Sequence, residues 1–345
     1  MRLAYYPGCS AKGSSADYEM STQAVCGALG MRLEELPDWN CCGSTPAHAV
    51  DTELSAALCV RNLDIAARTQ ADMVVTPCPS CLSNLRHAAK RMEKPEFRAR
   101  VNELLDNPAA ESFPPVTSVM QGIAQMYDAK AIASRVKRSL RGLKLVAYYG
   151  CLMSRPAELM QFGDPENPTL MEELLGACGA EMLDFPLKTE CCGASFGIPE
   201  RPMTAQLSGR ILEVATNMGA DAIVVACPLC QMNLDLRQKQ AMKGVDRYFN
   251  MPVLYYTQMM GLAFGMLPSE LGLDKLVVSA NALVERILDT QREDAQKAQA
   301  ALNKDEDFFS KQLVNGELPE TVLKEYNMLQ AAESKDGGVL HFTNL

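Results

Sequence analysis

Short apolar runs rich in β-branched and aromatic residues recur along the chain. They cover Arg2–Tyr6, Arg32–Leu36 and Asp72–Val75, then Lys144–Tyr149, Glu181–Phe185 and Asp221–Val225, and their composition predicts strands. Longer stretches between them, such as the one carrying Leu54, Leu58 and Leu63, have helical spacing. Strand–helix alternation of this kind predicts an α/β fold of βαβ units on parallel sheets. Asn107-Pro108 and Phe113-Pro114-Pro115 mark a break, and Val119–Leu140 reads as a helical lead into the run that starts at Lys144. Beyond about Leu276 the chain turns charged and Gln/Lys-rich, which predicts a partly helical tail fraying near Lys335-Asp336-Gly337-Gly338.

The chain also repeats itself. Ala4-Tyr5-Tyr6-Pro7-Gly8-Cys9 returns as Ala147-Tyr148-Tyr149-Gly150-Cys151, Cys41-Cys42-Gly43 as Cys191-Cys192-Gly193, and Cys78-Pro79-Ser80-Cys81 as Cys227-Pro228-Leu229-Cys230. Asn84-Leu85 returns as Asn233-Leu234, so the match extends past the cysteines. A duplication is the simplest account. It predicts two pseudo-symmetric Rossmann-like units over residues 1–118 and 119–275, the second with its leading helix, and a helical, partly flexible extension over 276–345. In each half the cysteines follow the strands, and in open parallel sheets that carboxyl edge is where ligands bind.

Composition narrows the chemistry. A net charge of −9 without a dense basic block argues against nucleic acid. No apolar stretch approaches the ~20 residues needed to span a bilayer, and the start lacks the pattern of a secretory signal, so a cytoplasmic protein is expected. In a reducing compartment 13 cysteines predict metal ligands, reactive thiols or core residues rather than a disulfide framework.

Ten of those 13 fall into one pattern stated twice: Cys9, Cys41, Cys42, Cys78 and Cys81, then Cys151, Cys191, Cys192, Cys227 and Cys230. Structural zinc closes at four ligands, which leaves the fifth thiol of each half surplus, and the chain has only His48, His87 and His341 to add. A polynuclear iron–sulfur core presents several irons to adjacent thiolates. Zinc in one half and a metal-free dithiol site are the competing readings. Gly43 and Gly193 let the backbone approach such a core, and Pro79 and Pro228 suit the first turn of a helix whose positive end faces it. Cys26, Cys59 and Cys178 lie in helical patterns and read as packing residues, Cys59 falling opposite Ser208 in the repeat. Lys12, Arg155 and Arg201, near the ligand positions in sequence, are candidate holders of an anionic substrate.

A lone cysteine, a CCG and a CxxC, all duplicated over about Met1–Leu267, resemble the CCG-domain (cysteine-rich) family, and within it the B subunit of heterodisulfide reductase. The resemblance implies that each set of five cysteines holds a noncubane [4Fe–4S] cluster, the two facing each other across a disulfide-binding gap. It further implies an oxidoreductase acting on sulfur groups, reducing or forming a disulfide between small thiols such as coenzyme M and coenzyme B of methanogenesis. Its partners would be a ferredoxin-like C-type subunit and a flavin-containing A-type subunit, because this chain has no C-x2-C-x2-C-x3-C-P run of its own. The alternative is an iron–sulfur electron-transfer subunit of a related bacterial complex for sulfur oxidation, aromatic-ring reduction or lactate oxidation. Complete cysteine sets in both halves favour catalysis, since a relay needs no pair of open clusters flanking a gap. The tail departs from the family pattern, and its apolar patch Leu283, Val284, Ile287 and Leu288 is expected to contact a partner.

Overall fold

The computed structural model describes residues 1–44, 47 and 50–315; His48, His341 and the fraying expected near residues 335–338 lie outside them. The chain forms two compact units, Met1–Thr290 and one beginning at Gln291. Within the first unit stand two four-stranded sheets, all pairs parallel. The first comprises β1 (Leu3–Tyr5), β2 (Leu33–Glu35), β3 (Met73–Thr76) and β4 (Val116–Ser118) in the order β2-β1-β3-β4. The second repeats it with β5 (Lys144–Tyr148), β6 (Glu181–Leu183), β7 (Ala222–Val225) and β8 (Val253–Tyr255), ordered β6-β5-β7-β8. The central strands are buried almost throughout, as parallel sheets covered on both faces require.

Six of the eight strands were legible as apolar runs; β4 and β8 were not. Only three residues long each, they extend the sheets at one side and run straight into helices Val119–Met126 and Tyr256–Ala263. The helix expected over 119–140 is shorter for the same reason. It ends at Met126, and only Ala129–Ala133 continues as helix before β5. Val119–Met126 packs on β3 and β4, so the first sheet's covering layer runs past residue 118.

The halves interlock by exchanging helices. Ala16–Leu29 of the first packs on Tyr256–Ala263 of the second, and Leu170–Ala177 packs back on Val119–Met126. Several polar side chains at this junction are paired, as burial demands. Ser21 Oγ meets Thr257 Oγ1 at 2.7 Å, and Gln121 Nε2 donates to the carbonyls of Met160 and Gln161 at 3.0 and 2.8 Å. Arg86 and Asp235 occupy repeat-related positions, yet Arg86 donates to the carbonyls of Leu159 and Met160 whereas Asp235 accepts from the amides of Val277 and Val278. The duplicated position has diverged in charge to hold a different strand of chain in each half.

That second clamp corrects the expected tail. Leu283 and Ile287 are buried in the core of the first unit and Val284 packs against it, while Arg286 pairs with Asp221. The apolar stripe read as a partner contact is therefore taken up internally, and the packed body runs to Thr290 rather than 276. The charged stretch from Gln291, considered alone, is helical to Asn315 and carries a Lys297–Glu293 pair one turn apart.

Candidate redox site

In the order β2-β1-β3-β4 the chain crosses outward to β2 and then back past β1, so the topological switch falls between β1 and β3. Ligands of parallel sheets collect at that point. Cys9 follows β1, Cys41 and Cys42 follow β2, and Cys78 and Cys81 follow β3; the second sheet places its five cysteines after β5, β6 and β7 in the same way. All ten thiols are free. In each half three are buried, Cys42, Cys78 and Cys81 or Cys192, Cys227 and Cys230; Cys9 and Cys41 are exposed, and Cys151 and Cys191 are half-buried.

The two sets agree atom by atom. Cys42 Sγ lies 3.5 Å from Cys81 Sγ, and Cys192 Sγ 3.7 Å from Cys230 Sγ. The amides of Gly43 and Gly193 each donate to the sulfur two residues earlier, Cys41 or Cys191, at 3.4 Å, so both glycines aim N–H groups at sulfur. Cys78 and Cys227 stand immediately before Pro79 and Pro228, which begin helices. Tyr6 donates to the Asn40 carbonyl at 2.9 Å and Tyr148 to the Glu190 carbonyl at 2.6 Å, bracing each CCG turn from below. Asn84 and Asn233 donate to the carbonyls of Cys42 and Cys192. Cys59 Sγ meets the Cys42 carbonyl at 3.2 Å where Ser208 Oγ meets the Cys192 carbonyl at 2.9 Å. Cys59 is thus a turn-bracing residue; Cys26 and Cys178 are buried in the core.

Two further glycines close the cradle. Gly8 (φ +75°) and Gly150 (φ +67°) take a conformation that favours glycine, and a Cβ on either would lie 2.9 Å from a sulfur, that of Cys81 or Cys230. The thiols share protons unevenly. Hydrogen bonds from Cys41 and then Cys81 pull Cys42 down to about 3, and Cys41 rises as its counterpart. In the second half Cys151 lowers Cys191 to about 6, and Cys230 lowers Cys192 to about 7. Each half can therefore present thiolates, the ligand form, at neutral pH. Among the described residues no three His, Cys, Asp or Glu donors converge as a single ion would need. Six buried hydroxyls among the described residues lack a partner, and several stand close to the thiols in sequence. Thr76 lies two residues before Cys78, Ser154 three after Cys151, and Thr204 against Gly193. Orphaned polar groups of this kind fit a polar inorganic group occupying the space.

Beside the cysteines lies a cavity of about 390 Å³. Ser44, Ser80, Ser83, His87 and Arg91 of the first half line it together with Leu152 and Arg155 of the second, and no carboxylate does. Leu152 also lines a small cleft with Cys151, Cys192, Cys227 and Cys230, to which Pro79 of the first half contributes. No cysteine lines the larger cavity itself; Leu152 is common to it and to the cleft of the second set, and Ser80 on its wall stands between Cys78 and Cys81 in the sequence. Of the three cations singled out in the sequence only Arg155 reaches it, and its ion pair with Glu166 at 2.6 Å is exposed and hence weak. Lys12 pairs with Glu35 at 2.8 Å, and Arg201 is exposed at the start of helix Arg201–Asn217; neither lines the cavity. Arg91 and His87 were missed. Ser80, Ser83, His87 and Arg91 recur at helical spacing below Cys81, which is the signal that would have found them.

The model of a cysteine-rich domain named CCG matches residues 3–86 and 145–235, one match per repeat. A Wolinella succinogenes protein named as the membrane anchor subunit of 8-methylmenaquinol:fumarate reductase is 32% identical over 283 residues, covering 81% of this chain and 98% of that protein. The B subunit of ferredoxin:CoB-CoM heterodisulfide reductase from Methanosarcina mazei is 28% identical over 286 residues, 80% of this chain and 94% of that protein. A crystal structure of a hypothetical protein from Helicobacter pylori shares the fold, with a TM-score of 0.66 at 14% identity; it matches 81% of this chain, which spans about half (52%) of that one.

Proposed function

Since this chain belongs to the cysteine-rich CCG domain family, we propose that it is a redox protein similar to the B subunit of heterodisulfide reductase, holding a noncubane [4Fe–4S] cluster on each five-cysteine set and reducing or forming a disulfide of small anionic thiols. The observation that carries this reading is the cavity with Arg91, Arg155 and His87 on its walls and no carboxylate lining it, sharing Leu152 with the cleft of the second cysteine set, in a chain whose net charge is −9. Bound in their cradles, the clusters would supply single electrons. The chain's own residues do the rest. Arg91 and Arg155 hold the anionic ends, with Glu166 giving way, and the serines donate hydrogen bonds. His87, anchored through Nδ1 to Ser83, offers its other ring nitrogen for proton exchange. Reducing one S–S bond takes two electrons and two protons and releases two thiols, the electrons arriving from a ferredoxin-like subunit fed by a flavin-containing one.

A second reading is favoured by one observation, the 32% identity to a protein named as the anchor subunit of a fumarate reductase: the chain would join an iron–sulfur subunit to such a complex and relay electrons without a substrate of its own. Among the described residues no helix is long and apolar enough to cross a membrane. Anaerobic iron and sulfide analysis comes first, with about eight irons per chain expected for two four-iron clusters. Viologen-linked reduction of small anionic disulfides then separates the readings. Turnover with KM raised roughly tenfold in Arg91→Ala or Arg155→Ala, the loss of about one charge-assisted hydrogen bond, supports catalysis. Full iron with no disulfide turnover supports the relay.

A further inference from the structure

Of the buried hydroxyls without a partner among the described residues, that of Tyr255 feels the charge of a cysteine from each set, Cys227 and Cys78. Tyr255 ends β8 in register with Val225 of β7, two residues before Cys227. Its ring lies fully buried against Tyr18 of the first half, with centroids 3.9 Å apart and planes 2° from parallel. Tyr18 in turn donates to the carbonyl of Pro77, the residue before Cys78, at 3.2 Å. Tyr255 is tied to Cys227 through the sheet and to Cys78 through the stack. Burial holds its phenol in the neutral, proton-bearing form, followed by Asp17; Cys227 and Cys78 act in the same direction, and Ser15, which makes no aligned hydrogen bond to it, acts against.

The repeat shows what the position needs structurally. In the first half the same place at the end of β4 is Ser118, whose hydroxyl caps the next helix by accepting from the Gln121 amide at 2.9 Å. At Tyr255 the equivalent glutamine, Gln258, accepts from the backbone amide of Tyr255 at 2.8 Å, as Gln121 does from that of Ser118 at 3.3 Å, while the phenol is left without a partner. A phenylalanine would keep every contact the ring makes, so the hydroxyl only adds a desolvated, unpaired group, which costs stability unless something outside the polypeptide accepts its proton.

We propose that Tyr255 is a potential-setting residue, its O–H donating to a sulfur of the iron–sulfur group on the second cysteine set. The inference rests on the cluster reading above. A hydrogen bond to sulfur favours the more negative, reduced state, so its removal makes reduction harder. In the anaerobic, iron-loaded protein, Tyr255→Phe should keep wild-type iron content while the midpoint potential of one centre, followed by EPR, falls and the other stays. Tyr18→Phe, which keeps the stack and loses a hydroxyl bonded to the Pro77 carbonyl, should leave the potential of that same centre unmoved. In the unmodified protein, pulsed EPR should detect a proton coupled to one centre that disappears after exchange into D2O, whether or not the variant folds. Full iron in Tyr255→Phe with both potentials unmoved, or with both shifted alike, overturns the inference, as does the absence of that exchangeable proton. A wild-type protein without iron overturns the cluster reading and this inference with it.

Discussion

Replacing Gly8 with alanine probes the cradle with a single methyl group. The backbone at Gly8 has φ +75°, which costs a residue with a Cβ roughly 1–2 kcal/mol. The new carbon would also sit 2.9 Å from Cys81 Sγ, whereas non-bonded heavy atoms settle at about 3.5–4.0 Å. Cys81 must therefore shift by about half an ångström or more, against a ligand tolerance of roughly 0.2 Å. It cannot move freely, being buried on the first turn of helix Pro79–Arg91 and 3.5 Å from Cys42 Sγ. The expected outcome is a loss of the first set's iron, from about eight to about four per chain, with a destabilisation of about 2–4 kcal/mol by anaerobic chemical denaturation. Gly150→Ala, with its Cβ 2.9 Å from Cys230 Sγ, should empty the second set instead, leaving a different residual EPR spectrum. Gly27→Ala is the control. It lies inside helix Ala16–Leu29 with nothing within 4 Å of a new Cβ, and should stabilise by ~0.5–1 kcal/mol. Full iron in Gly8→Ala at unchanged stability would refute the claim that the missing side chain makes room for the group on sulfur.

Cys42→Ala or Cys192→Ala should strip iron from its own half only, because each sheet edge carries a complete set; simultaneous loss from both halves, by metal analysis and EPR, would contradict two independent sites. Cys59→Ser should retain full iron, since Ser208 already makes the same bond in the second half, and substantial iron loss would show Cys59 to be a ligand. Burial pushes Asp17 up from 3.8 to about 6, so its contribution to stability is fully present below pH ~4 and is lost as the pH rises to about 6. Asp17→Asn should remove that slope and raise stability at pH 7 by up to ~3 kcal/mol; denaturation curves with the same pH slope in both proteins would refute it.

The sequence by itself determined the duplication, the class of fold and the place of the ten cysteines after the strands, because each is written in the chain: buried strands as apolar runs, and the repeat as a recurring cysteine spacing. The turns around those cysteines were also legible, since the glycine after each CC pair needs φ > 0, +70° at Gly43 and +91° at Gly193, whatever the rest of the chain does. What only the tertiary structure decided depends on residues distant in sequence. β4 and β8 are three residues long and gain their partners from neighbouring strands. The stripe Leu283–Ile287 looked like a partner contact until Asp235 and the core of the first unit were seen to take it up. Of Lys12, Arg155 and Arg201, equal as charges beside cysteines in the sequence, only Arg155 meets Arg91 and His87 in a shared cavity. Tyr255 carries no motif at all; only the packing of one half on the other stacks it on Tyr18 and leaves its buried hydroxyl unpaired, because a side chain's neighbours across an interface are fixed by how the helices interlock and not by its own surroundings in the chain.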